Sequence, residues 1–201
     1  SGWLNEFPFD RGDGVFDVNF HVTDGVLDYA PGWPRLREIV TDVRFVGRSL
    51  DLRANAARAF DSEVTNAEVK VADLAGHPAV VTVNGTARGP TADALRYVAQ
   101  SPLNEKFGEY LAGMEASGTS RLGLALTLPL AEQPARVQGA LYFIESGLNL
   151  REVGIDITAI DGRLGFHEGG LRGRDCVDAR HSTPAGAMPA GPLTWFLGAR
   201  F

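Results

Sequence analysis

Between Arg121 and Leu130 a leucine stands at every second position: Leu122, Leu124, Leu126, Leu128 and Leu130. Period two is the period of a strand, so all five share one face. Gly123, Ala125, Thr127 and Pro129, small or turn-prone, take the other. A wholly apolar strand face is costly in water and needs a partner surface. What covers this face is therefore the question the sequence poses.

The same grammar recurs along the chain. Phe16-Asp17-Val18-Asn19-Phe20-His21-Val22-Thr23 alternates four apolar with four polar residues, and Asp24-Gly25 then reads as a hairpin turn into Val26-Leu27-Asp28-Tyr29. Pro31-Gly32-Trp33-Pro34 interrupts the ladder. Strand-like runs follow at 40–45, 49–54, 63–71, 79–87, 137–144, 148–153, 155–160 and 163–167. Ile144-Glu145-Ser146-Gly147-Leu148 and His167-Glu168-Gly169-Gly170-Leu171 resemble the first turn, each ending one strand and starting another. One segment differs. Leu95, Val98, Leu103, Phe107, Leu111 and Met114 recur every three to five residues, with Ser101-Pro102 between, which predicts short helices over 91–100 and 103–116 and a stop at Gly118. With 24 Gly and only two Met, the composition suits many short strands joined by tight turns. The fold class expected is mainly β, an antiparallel sheet with one or two short helices near 91–116. From Cys176 to Pro192 the alternation stops, and residues 175–201 read as an atypical tail rich in Pro, Ala and Gly.

Several function classes lose support. The net charge of -6 carries no basic stripe to neutralise phosphates, so no nucleic-acid partner is expected. Cys176 is the single cysteine, which excludes an intrachain disulfide. His21, His77, His167 and His181 fall in no metal-ligand spacing, and no metal or cofactor site is expected. His21 lies on the polar face of its strand. Arg11-Gly12-Asp13 reads as part of a loop leading into that strand rather than as an adhesion signal, and Asn84-Gly85-Thr86 falls inside a strand. Asp61/Glu63 and Asp156/Asp161 are acidic pairs, but a glycosidase couple is defined by a cleft that pairing in sequence does not supply. No nucleophile elbow, phosphate loop or dinucleotide fingerprint occurs, and no catalytic residue is assigned. No apolar run approaches the ~20 residues that span a bilayer. The chain starts at Ser1 without a signal-peptide pattern, so any anchor or export signal is expected to lie outside it.

A series of phrases carries a family resemblance. Gly12-Asp13-Gly14-Val15-Phe16 leads into the first strand, and Gly25-Val26-Leu27-Asp28-Tyr29 runs on to Trp33-Pro34. Val43-Arg44-Phe45 with Gly47 and Leu50 follows, then Ser101-Pro102-Leu103, then Gly118 before the ladder ending Leu128-Pro129-Leu130. Val137-Gln138-Gly139 and Ile160-Asp161-Gly162-Arg163-Leu164-Gly165-Phe166 complete the set. In order and spacing these resemble the YhdP family of AsmA-like proteins of Gram-negative bacteria, over roughly residues 4–174 of a 1–174 segment; the tail departs from the pattern. The resemblance implies a very long parent chain, anchored in the inner membrane by an N-terminal helix, whose body crosses the periplasm. It implies a curled, taco-like β-sheet whose open groove shields phospholipid acyl chains on their way to the outer membrane, with no catalytic residues.

On that reading the groove lining includes Phe16, Val18, Phe20, Val22, Leu122, Leu124, Leu126, Leu128, Leu141 and Phe143, and phospholipid or another acyl lipid is the partner. The alternative is a non-catalytic structural or assembly module of the envelope with a closed β core; a third reading, a hydrolytic enzyme, requires a cleft with paired carboxylates. An apolar face that is open rather than sealed separates the first from the second.

Overall fold

The computed structural model describes residues 16–131, 133–151, 154–168, 170–172 and 178–182. Five strands come first: β1 (Asp17–Leu27), β2 (Leu36–Val46), β3 (Ser49–Ala59), β4 (Ser62–Val71) and β5 (Val80–Pro90). Two helices follow, α1 (Thr91–Ala99) and α2 (Asn104–Leu111). The chain then returns to strands with β6 (Met114–Pro129), β7 (Arg136–Leu150), β8 (Ile155–His167), β9 (Gly170–Arg172) and β10 (Asp178–Ser182). All belong to one antiparallel sheet in which β1 to β8 lie in chain order, and β9 and β10 both pair with β8. The sheet is mainly β as expected, and it does not close into a barrel: β1 lies at one edge and β10 at the other. Five residues of the 175–201 stretch form β10; Cys176 and residues 183–201 lie outside the described residues, as does Arg11-Gly12-Asp13.

The second helix is shorter than its periodicity predicts. It ends at Leu111, Gly113 takes a left-handed φ of 69°, and Met114 opens β6. Gly118, expected as a helix stop, sits inside β6 with φ 80°. Two of the three expected turns are also corrected. β1 runs straight through Asp24-Gly25, and β7 runs through Glu145-Ser146-Gly147. Asp24 (φ 54°) and Glu145 (φ 45°) are each the extra residue of a bulge, marked by register shifts at 22/25 in β1 and 143/146 in β7. These bulges each place a residue in the left-handed region, the same requirement several tight turns make. The turn after His167 does form, with His167 opposite Gly170. Further positive-φ residues at Glu38, Asn66 and Ala159 put bulges in β2, β4 and β8. Bulges bend strands and increase their twist, so the sheet curves.

Helix α1 lies along one rim of this sheet. The Thr91 and Ser146 hydroxyls are 2.8 Å apart, joining the helix to β7. Two residues on, the Asp93 carboxylate accepts from the Asp61 N–H at 3.0 Å and from the Ser62 hydroxyl at 2.7 Å, at the β3–β4 turn. Tyr97 then shares a hydroxyl hydrogen bond with Tyr29 and packs on Trp33, both in the β1–β2 connection. Along roughly 9 Å of helix, α1 thus ties β7, the β3–β4 turn and the β1–β2 connection together at one rim of the sheet, and it braces the curvature there.

Candidate functional site

Register carries the alternation of single strands across the whole sheet. Phe20 lies opposite Val43, Val43 opposite Leu52, then Val69, Val83, Leu126 and Val137 in turn: seven strands and seven apolar residues. Two residues along, Val18, Phe45, Leu50, Val71, Val81 and Leu128 form a second row. On the other side a row of smaller residues runs Val22, Thr41, Ala54, Ala67, and continues through Gly85, Leu124, Gly139 and Phe166. A fourth row reads Ala57, Val64, Ala87, Leu122, Leu141 and Leu164. The four rows are about 6.6 Å apart at ~3.3 Å per residue, and together extend roughly 20 Å along the strands.

The residues singled out from sequence all fall in this pattern or at its rim. Val18, Phe20 and Val22 of β1 and Leu122, Leu124, Leu126 and Leu128 of β6 occupy the rows named above. Leu141 lies between Leu122 and Leu164, and Phe143 between Ser120 and Gly162 on the same face. Phe16 precedes β1, its carbonyl accepting from the Gly47 N–H at 2.8 Å. Leu130 falls just past β6, 65% exposed. Sequence reading placed the strands of Val43, Leu52, Val69, Val71, Val83 and Leu164 but did not assign them to this face. Only pairing register brings them there.

Among the described residues no second sheet lies over the rows, since all ten strands belong to one sheet. Burial varies along the rows. Val43 (7% exposed) in β2 and Val71 (3%) in β4 are buried, whereas Val18 (40%) and Phe20 (48%) at the β1 edge stand open, with Phe20 stacked on Phe45 at 6.3 Å. Leu122, Leu124, Leu126 and Leu128 are half-buried, and none is sealed within protein. Phe166 leans over Gly139, where a Cβ would meet the ring at 2.3 Å. Here an aromatic side chain covers the gap that a strand glycine leaves.

The opposite face is polar and cross-paired. His21, Asp42, Arg53, Glu68, Asn84, Ala125, Gln138 and His167 form one row across eight strands. Within and beside it His21 Nδ1 lies 2.7 Å from Asp42, Lys70 2.7 Å from Glu68, Arg53 3.5 Å from Glu68, and Arg44 3.0 Å from Asp17. The Arg44 hydrogen bond holds the Asp17 carboxyl below its ordinary range, and Lys70 does the same for Glu68. Two of the four acidic residues considered for catalysis have structural partners: Glu63 holds Arg58 at 3.0 Å, and Asp161 accepts from the Glu145 N–H at 2.9 Å. Among the described residues no three His, Cys, Asp or Glu side chains converge as a metal site, and no helix is long and apolar enough to cross a membrane.

These features define a class: an open, curled antiparallel meander, apolar across one face and charged across the other. The chain belongs to the YhdP family, whose model, described as YhdP protein, matches residues 1–186. It is 18% identical over 160 residues to the intermembrane phospholipid transporter YhdP of Escherichia coli (strain K12), an alignment covering 80% of this chain and 12% of that protein. The chain therefore spans a small part of that relative's length. No solved structure matches it.

Proposed function

We propose that this chain is a segment of an inner-membrane-anchored periplasmic protein whose apolar face shields phospholipid acyl chains in transit toward the outer membrane. The observation that carries the reading is the four apolar rows, which together extend from β1 to β8 and which no second sheet covers among the described residues. Family membership and the printed activity of the E. coli relative support it. The dimensions agree: the rows extend roughly 20 Å, against about 15 Å for one leaflet of hydrocarbon. Each buried methylene contributes about 0.8 kcal/mol, so a smooth trough holds an acyl chain without a specific pocket. The head group then stays in water, where its charge costs nothing to keep solvated. Such a surface needs no single essential residue, and it favours sliding over tight binding.

A photo-crosslinking amino acid placed at Leu124 or Leu126 is expected to capture phospholipid in cells, and one placed at Asn19 on the outer face is not. Leu126→Asp should lower co-purifying lipid in a chain that keeps its β circular dichroism, while Asn19→Ala leaves it unchanged. Equal labelling from both faces, or none from the inner one, overturns the proposal.

A further inference from the structure

The outer face holds a group of charges that the cross-pairing pattern does not explain. Arg88 of β5 lies opposite Arg121 of β6, Arg121 opposite Tyr142 of β7, and Tyr142 opposite Arg163 of β8. Three guanidinium groups thus share one row of four adjacent strands, roughly 14 Å from end to end. Like charges directly opposite each other across a ladder destabilise it. Elsewhere on this face cations are compensated: Arg37 lies opposite Arg58, but Arg58 meets Glu38 at 3.3 Å and Glu63 at 3.0 Å, and Arg44, Arg53 and Lys70 each meet a carboxylate. Arg88 has one acidic cross-strand neighbour, Glu63, but that carboxylate is taken by Arg58 at 3.0 Å. Among the described residues no carboxylate comes within 4.0 Å of Arg88 or Arg121. The chain's net charge is -6, so the group is not a local sample of a basic surface.

The geometry around the row is that of a receptor. Tyr142 lies between two of the cations: the Arg121 guanidinium carbon is 4.6 Å and that of Arg163 5.8 Å from its ring centroid. Arg163 Nε donates to the Tyr142 hydroxyl at 3.3 Å, which leaves the phenol proton free to donate outward. Together with Phe143, Ile144 and Gly162, Arg88, Arg121, Tyr142 and Arg163 line a shallow depression of about 520 Å³. The adjoining row, Thr86, Gly123, Ala140 and Gly165, is made of small residues, and the space beside Gly123 is open. Asp161, two residues from Arg163, has a carboxylate oxygen engaged by the Glu145 N–H at 2.9 Å.

We propose that Arg88, Arg121, Tyr142 and Arg163 form an anion site on the outer face for a phosphate group, either on a lipid head group or free in solution. Planar guanidinium forks match pairs of phosphate oxygens, and an anion between Arg88 and Arg121 turns their repulsion into attraction. The site lies on the face opposite the apolar rows and does not depend on what those rows carry.

The test uses the 201-residue chain. Inorganic phosphate is titrated calorimetrically, and in a second arm the chain is floated with phosphatidylcholine vesicles with and without phosphatidylglycerol. Arg88→Gln/Arg121→Gln should weaken binding by about tenfold or more, since it removes two charge-assisted contacts. Arg53→Gln, on the same face at a paired position, should bind like the parent. Binding of inorganic phosphate assigns the site to the free anion as well, and binding of anionic vesicles alone assigns it to the head group. No binding in either arm, or the same loss with Arg53→Gln, overturns the proposal. Should the double variant fail to fold, each single variant must show part of the loss, and singles that bind like the parent overturn it equally.

Discussion

Glycines in this sheet do two opposite jobs, and the difference is measurable. Gly139 and Gly123 are near neighbours in the adjacent strands β7 and β6, both with ordinary strand backbones. A Cβ on Gly139 would sit 2.3 Å from the Phe166 ring and 2.7 Å from the Gly123 carbonyl oxygen; one on Gly123 meets nothing within 4 Å. Gly139→Ala should therefore lose about 1–3 kcal/mol through overpacking. Gly123→Ala should gain about 0.5–1 kcal/mol, because glycine in a strand costs backbone entropy. Urea midpoints that move in the same direction for both would contradict this account. Tyr97 makes a second residue-scale prediction. Burial, and then the Tyr29 hydrogen bond, raise its pKa far above the ordinary tyrosine range, and burial raises that of Tyr29 as well. A folded-state pKa above the unfolded one stabilises fully below the unfolded value near 10, and that contribution fades as pH climbs past it. In an alkaline titration followed at the phenolate band, Tyr97→Phe should lose the latest-ionising phase of the parent, and the variant's stability should fall less above pH ~10.

At the scale of elements, α1 is a brace fastened at three points, and each fastening is a buried or half-buried polar contact rather than an apolar stripe. Asp93 is 8% exposed and accepts two hydrogen bonds from the β3–β4 turn. Asp93→Ala leaves the Asp61 N–H and the Ser62 hydroxyl without that partner, at a cost of about 1–3 kcal/mol. Asp93→Asn, which keeps an acceptor oxygen, should lose less. Hydrogen exchange should quicken in α1 and in the β3–β4 turn while β6 and β7 stay protected; uniform loss of protection would mean that the helix is integral to the sheet. None of these contacts was legible beforehand. Thr91 and Ser146 are 55 residues apart, Tyr29 and Tyr97 68 apart, and no local pattern links them. The strands were legible because period two is imposed by backbone geometry wherever one face is apolar, as at Leu122 to Leu128. Their lengths were not. Asp24-Gly25 and Glu145-Ser146-Gly147 read as turns because a bulge selects the residues a turn selects, and only the continuing ladder distinguishes the two.

For the whole molecule, the decisive property is that eight strands contribute to one apolar face while no single strand defines it. The candidate residues named from sequence came from β1, β6, β7 and the residue before β1, where alternation is cleanest. Val43, Val71 and Val83 complete the face through register, which a sequence does not state. A surface of this kind should read chain length and ignore head-group identity. Across a series of lysophospholipids, affinity should rise about fourfold per added methylene, the equivalent of ~0.8 kcal/mol, with little change between head groups. Affinity that is flat in chain length but sharp in head group would point to a polar pocket instead. Because each strand from β2 to β8 pairs with its immediate predecessor in the chain, nearly all of the pairing is local. Local pairing favours rapid formation. Each hairpin can thus be completed as it emerges during synthesis or export, before later ones exist, and the trough can grow by accretion from either margin without undoing what has already formed.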